Sequence, residues 1–244
     1  MTSLSKAKVE ILADPETMAR RVAEWMIELA NAKDGTFTVC LSGGSTPQTL
    51  YEYLAEPPYR DAFPWPRTHW FWGDERFVPH DDALSNYRMV REALLSRAPI
   101  PAINIHPIPT EGVSPETAAS AYERELKTFY GAERLDPARS LFDVNLLGLG
   151  PDGHTASLFP DNAVLAERHK WVCAVVGAKP EARITLTYPA LESSRHAAFL
   201  VAGKEKRAIF KRLRFGDDSL PAARLRPIAG LTWFLDRAAA GAET

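Results

Sequence analysis

Residues 41–47 read LSGGSTP and follow the apolar run FTVC at 37–40. An apolar strand that leaves through two glycines, two hydroxyls and a proline has two readings. In one it is a tight turn into a helix, with Thr46 as N-cap and Pro47 at the first helical position, where its missing N–H costs nothing. In the other, something approaches the backbone closely. Gly43 and Gly44 leave N–H groups uncovered, and the helix start adds unpaired N–H groups and the positive end of its dipole. Together these suit an anion such as phosphate. No G-K-[ST] follows, so the loop is not of the kind that holds nucleoside triphosphates.

The alternation of strand and helix continues in both directions. TFTVCL (36–41), THWFW (68–72), INIHPI (103–108), FDVNLLGL (142–149), WVCAVV (171–176), RITLTY (183–188), HAAFLVA (196–202) and LTWFL (231–235) are short, apolar and rich in β-branched or aromatic residues. Several are apolar almost throughout, as in strands covered on both faces. Between them, Met18, Val22, Trp25, Met26 and Leu29 form one stripe at helical spacing, and Ala118, Ala121, Tyr122, Leu126 and Phe129 form another. Asp14-Pro15 and Ser114-Pro115 repeat the Thr46-Pro47 start signal, and Ser85 is placed to cap a helix carrying NYRMVREALL. The pattern predicts an α/β fold with a largely parallel sheet flanked by helices, in one domain over residues 1–244. Ligands in such sheets lie at the carboxyl ends of strands.

Three more strand ends carry charge. In WFWGDERFVP (70–79), Asp74, Glu75 and Arg76 follow an aromatic strand. They read either as a strand surfacing into solvent or, through the planar fork of Arg76, as a phosphate contact. In LLGLGPDGHTASLFP (146–160), the literal G-x-G-x-x-G match is rejected, because Pro160 closes the segment too soon for a dinucleotide-binding helix. What remains is His154 in a glycine loop with Asp152 two positions before it. That is either a structural histidine or a proton-transfer group with a carboxylate to orient it. In GKEKRAIFKRLR (203–214), most cations read as a solvated helix face, but Lys204 and Lys206 lie in the first turn, where they oppose the helix dipole unless an anion binds nearby. His69, His106 and His196 lie in strand-like runs and His80 and His169 in charged surface-like stretches, with no metal-site spacing among them.

Composition narrows the function classes. The 244 residues carry a net charge of −2, so the chain as a whole is no polyanion binder. No apolar run is long enough to span a membrane, and the N-terminus has no secretory pattern. Cys40 and Cys173 read as reduced core residues, and the cytoplasm is the expected compartment. No nucleic-acid or membrane partner is expected; the oligomeric state stays open, with a monomer favoured.

In their order along the chain, LSGGSTPQTLYEYLA, WGDERFVPHDDALSNYRM, FDVNLLGLGPDGHTASLFP, PEARITLTYPAL and VAGKEKRAIF resemble the glucosamine-6-phosphate isomerase/6-phosphogluconolactonase family, from about residue 36 to 236. The resemblance implies a Rossmann-like fold similar to that of glucosamine-6-phosphate deaminase and ribose-5-phosphate isomerase. It also implies hydrolysis of 6-phosphoglucono-δ-lactone in the oxidative pentose phosphate pathway, with no cofactor. Carried over position by position, it makes His154 the catalytic base, with the acids Asp152 and Asp74 near it. It puts the substrate phosphate on Gly43, Gly44, Ser45, Thr46, Arg76 and Lys206, with Arg183 close by. The related deaminases carry a glutamate where this chain has Phe159, which favours the lactonase branch. A deaminase or isomerase on the same scaffold, and a non-enzymatic phosphosugar sensor, are the alternatives.

Overall fold

β2 (Phe37–Leu41) and β6 (Phe142–Leu147) have no exposed residue, and that burial on both faces marks the middle of a parallel sheet. The computed structural model describes residues 7–241. The expected domain over 1–244 and the reading of the first six residues therefore extend beyond the described residues. The other strands are β1 (Lys8–Leu12), β3 (Thr68–Trp72), β4 (Asp74–Arg76), β5 (Ile105–His106), β7 (Val172–Val175), β8 (Arg183–Leu186), β9 (Ser194–Val201) and β10 (Gly230–Asp236). Seven of them form one sheet in the order β1-β10-β9-β6-β2-β3-β5, and every neighbouring pair is parallel.

The helices are α1 (Pro15–Ala32), α2 (Ser45–Leu54), α3 (Tyr59–Ala62), α4 (Asn86–Val90), α5 (Pro115–Tyr130), α6 (Tyr188–Glu192), α7 (Arg207–Arg214) and α8 (Arg237–Ala240). The start signals of α1 and α5 hold: the Asp14 carboxylate accepts from Thr17 N at 2.7 Å and Ser114 Oγ from Thr117 N at 3.2 Å. Ser85 caps α4 through Arg88 N at 3.1 Å, although the helix widens into a π-turn at Arg91–Leu95. The α1 stripe buries Met18, Val22 and Met26, and the α5 stripe buries Ala118, Tyr122 and Leu126. Facing pairs across strands complete the core; Phe199 of β9 stacks on Trp233 of β10 with ring centroids 3.9 Å apart.

Four elements depart from the sequence reading. β1, KVEIL, was not anticipated, because in this edge strand Lys8 and Glu10 interrupt the apolar residues, and the face left open is that of Val9 and Ile11. The strand expected at 103–108 is only Ile105–His106, between a 3₁₀ turn at Ala102–Asn104 and Pro107, which has no N–H for the ladder. β7 and β8 stay out of the parallel sheet and form an antiparallel sheet of their own with β4, in the order β4-β8-β7. The link between them, residues 176–182, is too short for a parallel crossover. Finally, Cys173 is only half-buried and not a core residue, whereas Cys40 is fully buried; both thiols are free.

The topology sets the place of a ligand. From β2 the chain proceeds to β3 and β5 on one side, then returns to β6 on the other side of β2 and continues outward to β9 and β10. The loops that follow β2 and β6 diverge from the same rim, and such a switch of direction opens a crevice at the carboxyl ends of the strands.

Candidate active site

The loop after β6 builds the histidine. Gly150 N donates to His154 O at 2.8 Å and Gly153 N to Gly150 O at 3.0 Å, which closes the turn with Gly153 at φ +83°. Gly150 is needed for another reason: a Cβ there would stand 2.0 Å from Nδ1 of the His154 ring. The Asp152 carboxylate accepts from the backbone N of His154 at 3.1 Å and holds the ring through Nδ1. Burial pushes the Asp152 carboxyl up, but the hydrogen bonds from His154 outweigh it and hold the group below 3.8. It is therefore ionised at neutral pH and fixes Nδ1, leaving Nε2 without a partner among the described residues. The Phe159 ring lies 4.8 Å from the imidazole, centroid to centroid, and is 6% exposed.

The loop after β2 supplies open N–H groups. α2 starts at Ser45, with Gly44 (φ +107°) as N-cap and no side-chain cap. This corrects the sequence reading, in which Thr46 capped and Pro47 took the first helical position. Thr46 stands instead at the second position and Pro47 at the third, so the amides of Ser45 and Thr46 have no intrahelical acceptor. Tyr51 pins the loop: its hydroxyl accepts from Ser42 N at 3.0 Å and donates to Ser42 O at 2.8 Å.

β4 joins the two loops. It leaves β3 through Gly73, whose N–H bonds Leu41 O at 2.9 Å. Asp74 accepts from Ser157 Oγ at 2.6 Å, which ties β4 to the histidine loop. Its backbone oxygen accepts from Asn86 Nδ2 at 3.0 Å, and Asn86 closes over Gly43. Asp74 thus supports the histidine loop through Ser157, while only Asp152 touches the imidazole. Glu75 is buried and accepts from the backbone N–H of Arg76, Asn86 and Tyr87, each at 2.7 Å, and from Ser85 Oγ at 3.2 Å. Burial holds its carboxyl above the ordinary value despite these donors.

Arg76 faces Arg183 directly across the β4–β8 ladder. Two like charges opposite each other are unfavourable unless an anion lies between them. Arg76 uses Nη1 on Leu84 O at 2.7 Å, and Arg183 reaches Glu181 at 3.5 Å. Nη1 of Arg183 is buried without a partner among the described residues. Burial, and then the charge of Arg76, hold the Arg183 guanidinium below its ordinary pKa. Lys206 ends a 3₁₀ turn at Lys204–Lys206, entered from β9 through Gly203 at φ +96°. It shares the rim by topology, and its ammonium makes no hydrogen bond or ion pair within the described residues.

The glucosamine-6-phosphate isomerases/6-phosphogluconolactonase family model matches residues 13–234. The chain belongs to that family. A 6-phosphogluconolactonase of Nostoc sp. is 41% identical over 246 residues, covering 98% of each chain. The chloroplastic 6-phosphogluconolactonase 3 of Arabidopsis thaliana is 39% identical, covering 96% of this chain and 74% of the relative. The solved 6-phosphogluconolactonase of Thermotoga maritima is 35% identical and superposes with a TM-score of 0.80, over 95% of this chain and all of that one. The Rossmann-like fold implied by the motifs is thereby established.

Within this candidate site, the residues to which sequence reasoning gave no role are Glu75, Asn86, Ser157 and Thr185, whose hydroxyl accepts from Ser157 N at 3.1 Å. Each acts on a segment far away in sequence; the one local signal was Ser85-Asn86, the start of α4. A cavity of about 860 Å³ lies elsewhere, between α5 and β7, and its lining contains no histidine. No group of three His, Cys, Asp or Glu among the described residues is arranged to hold a metal ion. None of the described helices is long and apolar enough to cross a membrane.

Proposed function

We propose that this chain hydrolyses 6-phosphoglucono-δ-lactone to 6-phosphogluconate, as one domain acting in the cytoplasm. The observation that carries the reading is the division of the rim: an imidazole with Nδ1 held by Asp152 and Nε2 open at one end, and uncommitted anion donors at the other. The names of the relatives supply the substrate.

The phosphate would lie on the Gly43–Thr46 amides, Arg76, Arg183 and Lys206, which orients the sugar in ground and transition states alike. Nε2 of His154 takes a proton from water as its oxygen attacks C1. The tetrahedral intermediate collapses with cleavage of the bond from C1 to the ring oxygen, and the imidazolium returns its proton to that oxygen. Asp152 holds the ring and favours the transient cation. Such proton transfer contributes about 10²–10⁴-fold.

The test is hydrolysis of freshly generated lactone against its spontaneous decay. His154→Ala should lower kcat about 10²–10⁴-fold with phosphosugar binding kept, and Arg76→Ala should mainly raise KM. A near-normal kcat for His154→Ala removes the histidine from the reaction. The deaminase alternative is disfavoured by Phe159, which puts a buried ring where a carboxylate would be needed; glucosamine 6-phosphate should release no ammonia.

A further inference from the structure

The chemistry at C1 creates negative charge twice, first on the tetrahedral oxygen and then on the product carboxylate. The histidine end of the rim already holds one anion, Asp152, bound to the imidazole. Arg76 and Arg183, the arginines of the anion end, face each other on β4 and β8. A different cation meets the histidine loop. The ammonium of Lys179 stands 5.1 Å from the centre of the Phe159 ring, and that ring stands 4.8 Å from the imidazole. Those two spans laid end to end bound the distance from ammonium to imidazole.

Lys179 is uncommitted. It makes no ion pair or hydrogen bond within the described residues, and Glu181, the acid of its own loop, reaches Arg183 instead. The loop, residues 176–182, is the hairpin link of β7 and β8, and it turns through Gly177 at φ +81°. Its β8 end is Arg183, so one hairpin carries a cation for each end of a substrate. Phe159 is buried and therefore fixed, and it gives the flexible lysine stem a platform beside the reacting atoms.

We infer that Lys179 is a further catalytic residue, contacting the C1 oxygens and neutralising the charge that develops there and persists on the product carboxylate. The inference rests on the lactonase reading for its substrate. No atom is transferred to or from the lysine; its part is electrostatic.

Two ligands with the same phosphate separate the ends of the site: 6-phosphogluconate, with a carboxylate at C1, and glucitol 6-phosphate, with a hydroxyl there. Calorimetry with both, and lactone hydrolysis, are measured for the wild type, Lys179→Met and Lys179→Arg. Lys179→Met is expected to lower kcat about 10- to 100-fold and weaken 6-phosphogluconate about 10-fold, with glucitol 6-phosphate within about 2-fold of the wild type. Lys179→Arg is expected to recover most of both losses. Equal weakening of the two ligands would put the lysine at the phosphate and overturn the inference, as would unchanged kcat and unchanged binding. A wild type that fails to hydrolyse the lactone refutes the proposed function separately, and the binding comparison still decides which end Lys179 serves.

Discussion

Gly43 is a glycine for reasons of space, and Gly43→Ala tests the joint between the β2 loop and α4. Its φ is not in the left-handed region, so alanine suits the backbone. A Cβ there, however, would lie 1.9 Å from Oδ1 of Asn86, 2.4 Å from Cγ and 2.8 Å from Nδ2. Asn86 cannot simply swing away. It is 4% exposed, its amide donates to Asp74 O at 3.0 Å, and its backbone N is held by Glu75 at 2.7 Å. Overpacking costs about 1–3 kcal/mol. Losing the buried hydrogen bond to Asp74 O costs about 1–3 kcal/mol more. The expected loss is about 2–6 kcal/mol, or a Tm lower by roughly 4–24 °C for a chain of this size. The assay is thermal unfolding of Gly43→Ala, Asn86→Ala and the double variant, with KM for the lactone. Asn86→Ala removes the obstacle, so adding Gly43→Ala to it should cost under about 0.5 kcal/mol, a strong departure from additivity. A Gly43→Ala protein with wild-type Tm and KM, or additive single effects, would refute the reasoning.

Gly148 and Gly150 are both in GLG, yet they should respond differently. A Cβ at Gly148 would meet Ser42 Oγ at an ordinary 3.6 Å, whereas one at Gly150 would occupy the space of the imidazole. Gly148→Ala should keep kcat within about 2-fold, and Gly150→Ala should approach the about 10²–10⁴-fold loss expected of His154→Ala; comparable kcat values for the two would contradict the loop geometry. Burial, and then the neighbouring His106, hold the His69 imidazole below its ordinary 6.5. The unfolded chain therefore binds the proton more tightly, so this contribution to stability is complete above pH 6.5 and lost as pH falls through the lower folded value. Denaturant unfolding of His69→Phe across that interval should show a shallower fall than the wild type, and an unchanged slope would remove His69 as its source.

The parts of the fold legible in the sequence are those where burial acts on consecutive residues. β2 and β6 are recognisable because both faces are covered, and α1 and α5 because their stripes and caps are local. β1 was missed because Lys8 and Glu10 interrupt its apolar residues, and β8 was placed in the wrong sheet although its short link to β7 was visible. The Thr46-Pro47 signal was misread by two positions. The pair looks like cap and first residue, but with Gly44 at the N-cap the helix has already begun, and the amides that a cap would cover stay open. For the candidate site, His154, Asp152 and Arg76 can be singled out from the sequence because residue type and strand-end position are local facts. Asn86, Ser157 and Thr185 cannot, because they act across distances in sequence that periodicity does not encode.

The triplet Asp74-Glu75-Arg76 shows the same limit within three residues. As a composition it is a charged run, and a strand surfacing into water explains it. The pleat sends alternate side chains to opposite faces. Glu75 turns inward, where it takes the amides that begin α4 and so holds Asn86 over Gly43. Asp74 and Arg76 share the other face, one bonded to Ser157 of the histidine loop and the other set beside Arg183. One short strand thus fixes both ends of the rim relative to each other. Its three charges differ in role because the ladder with β8 assigns each a face and a partner.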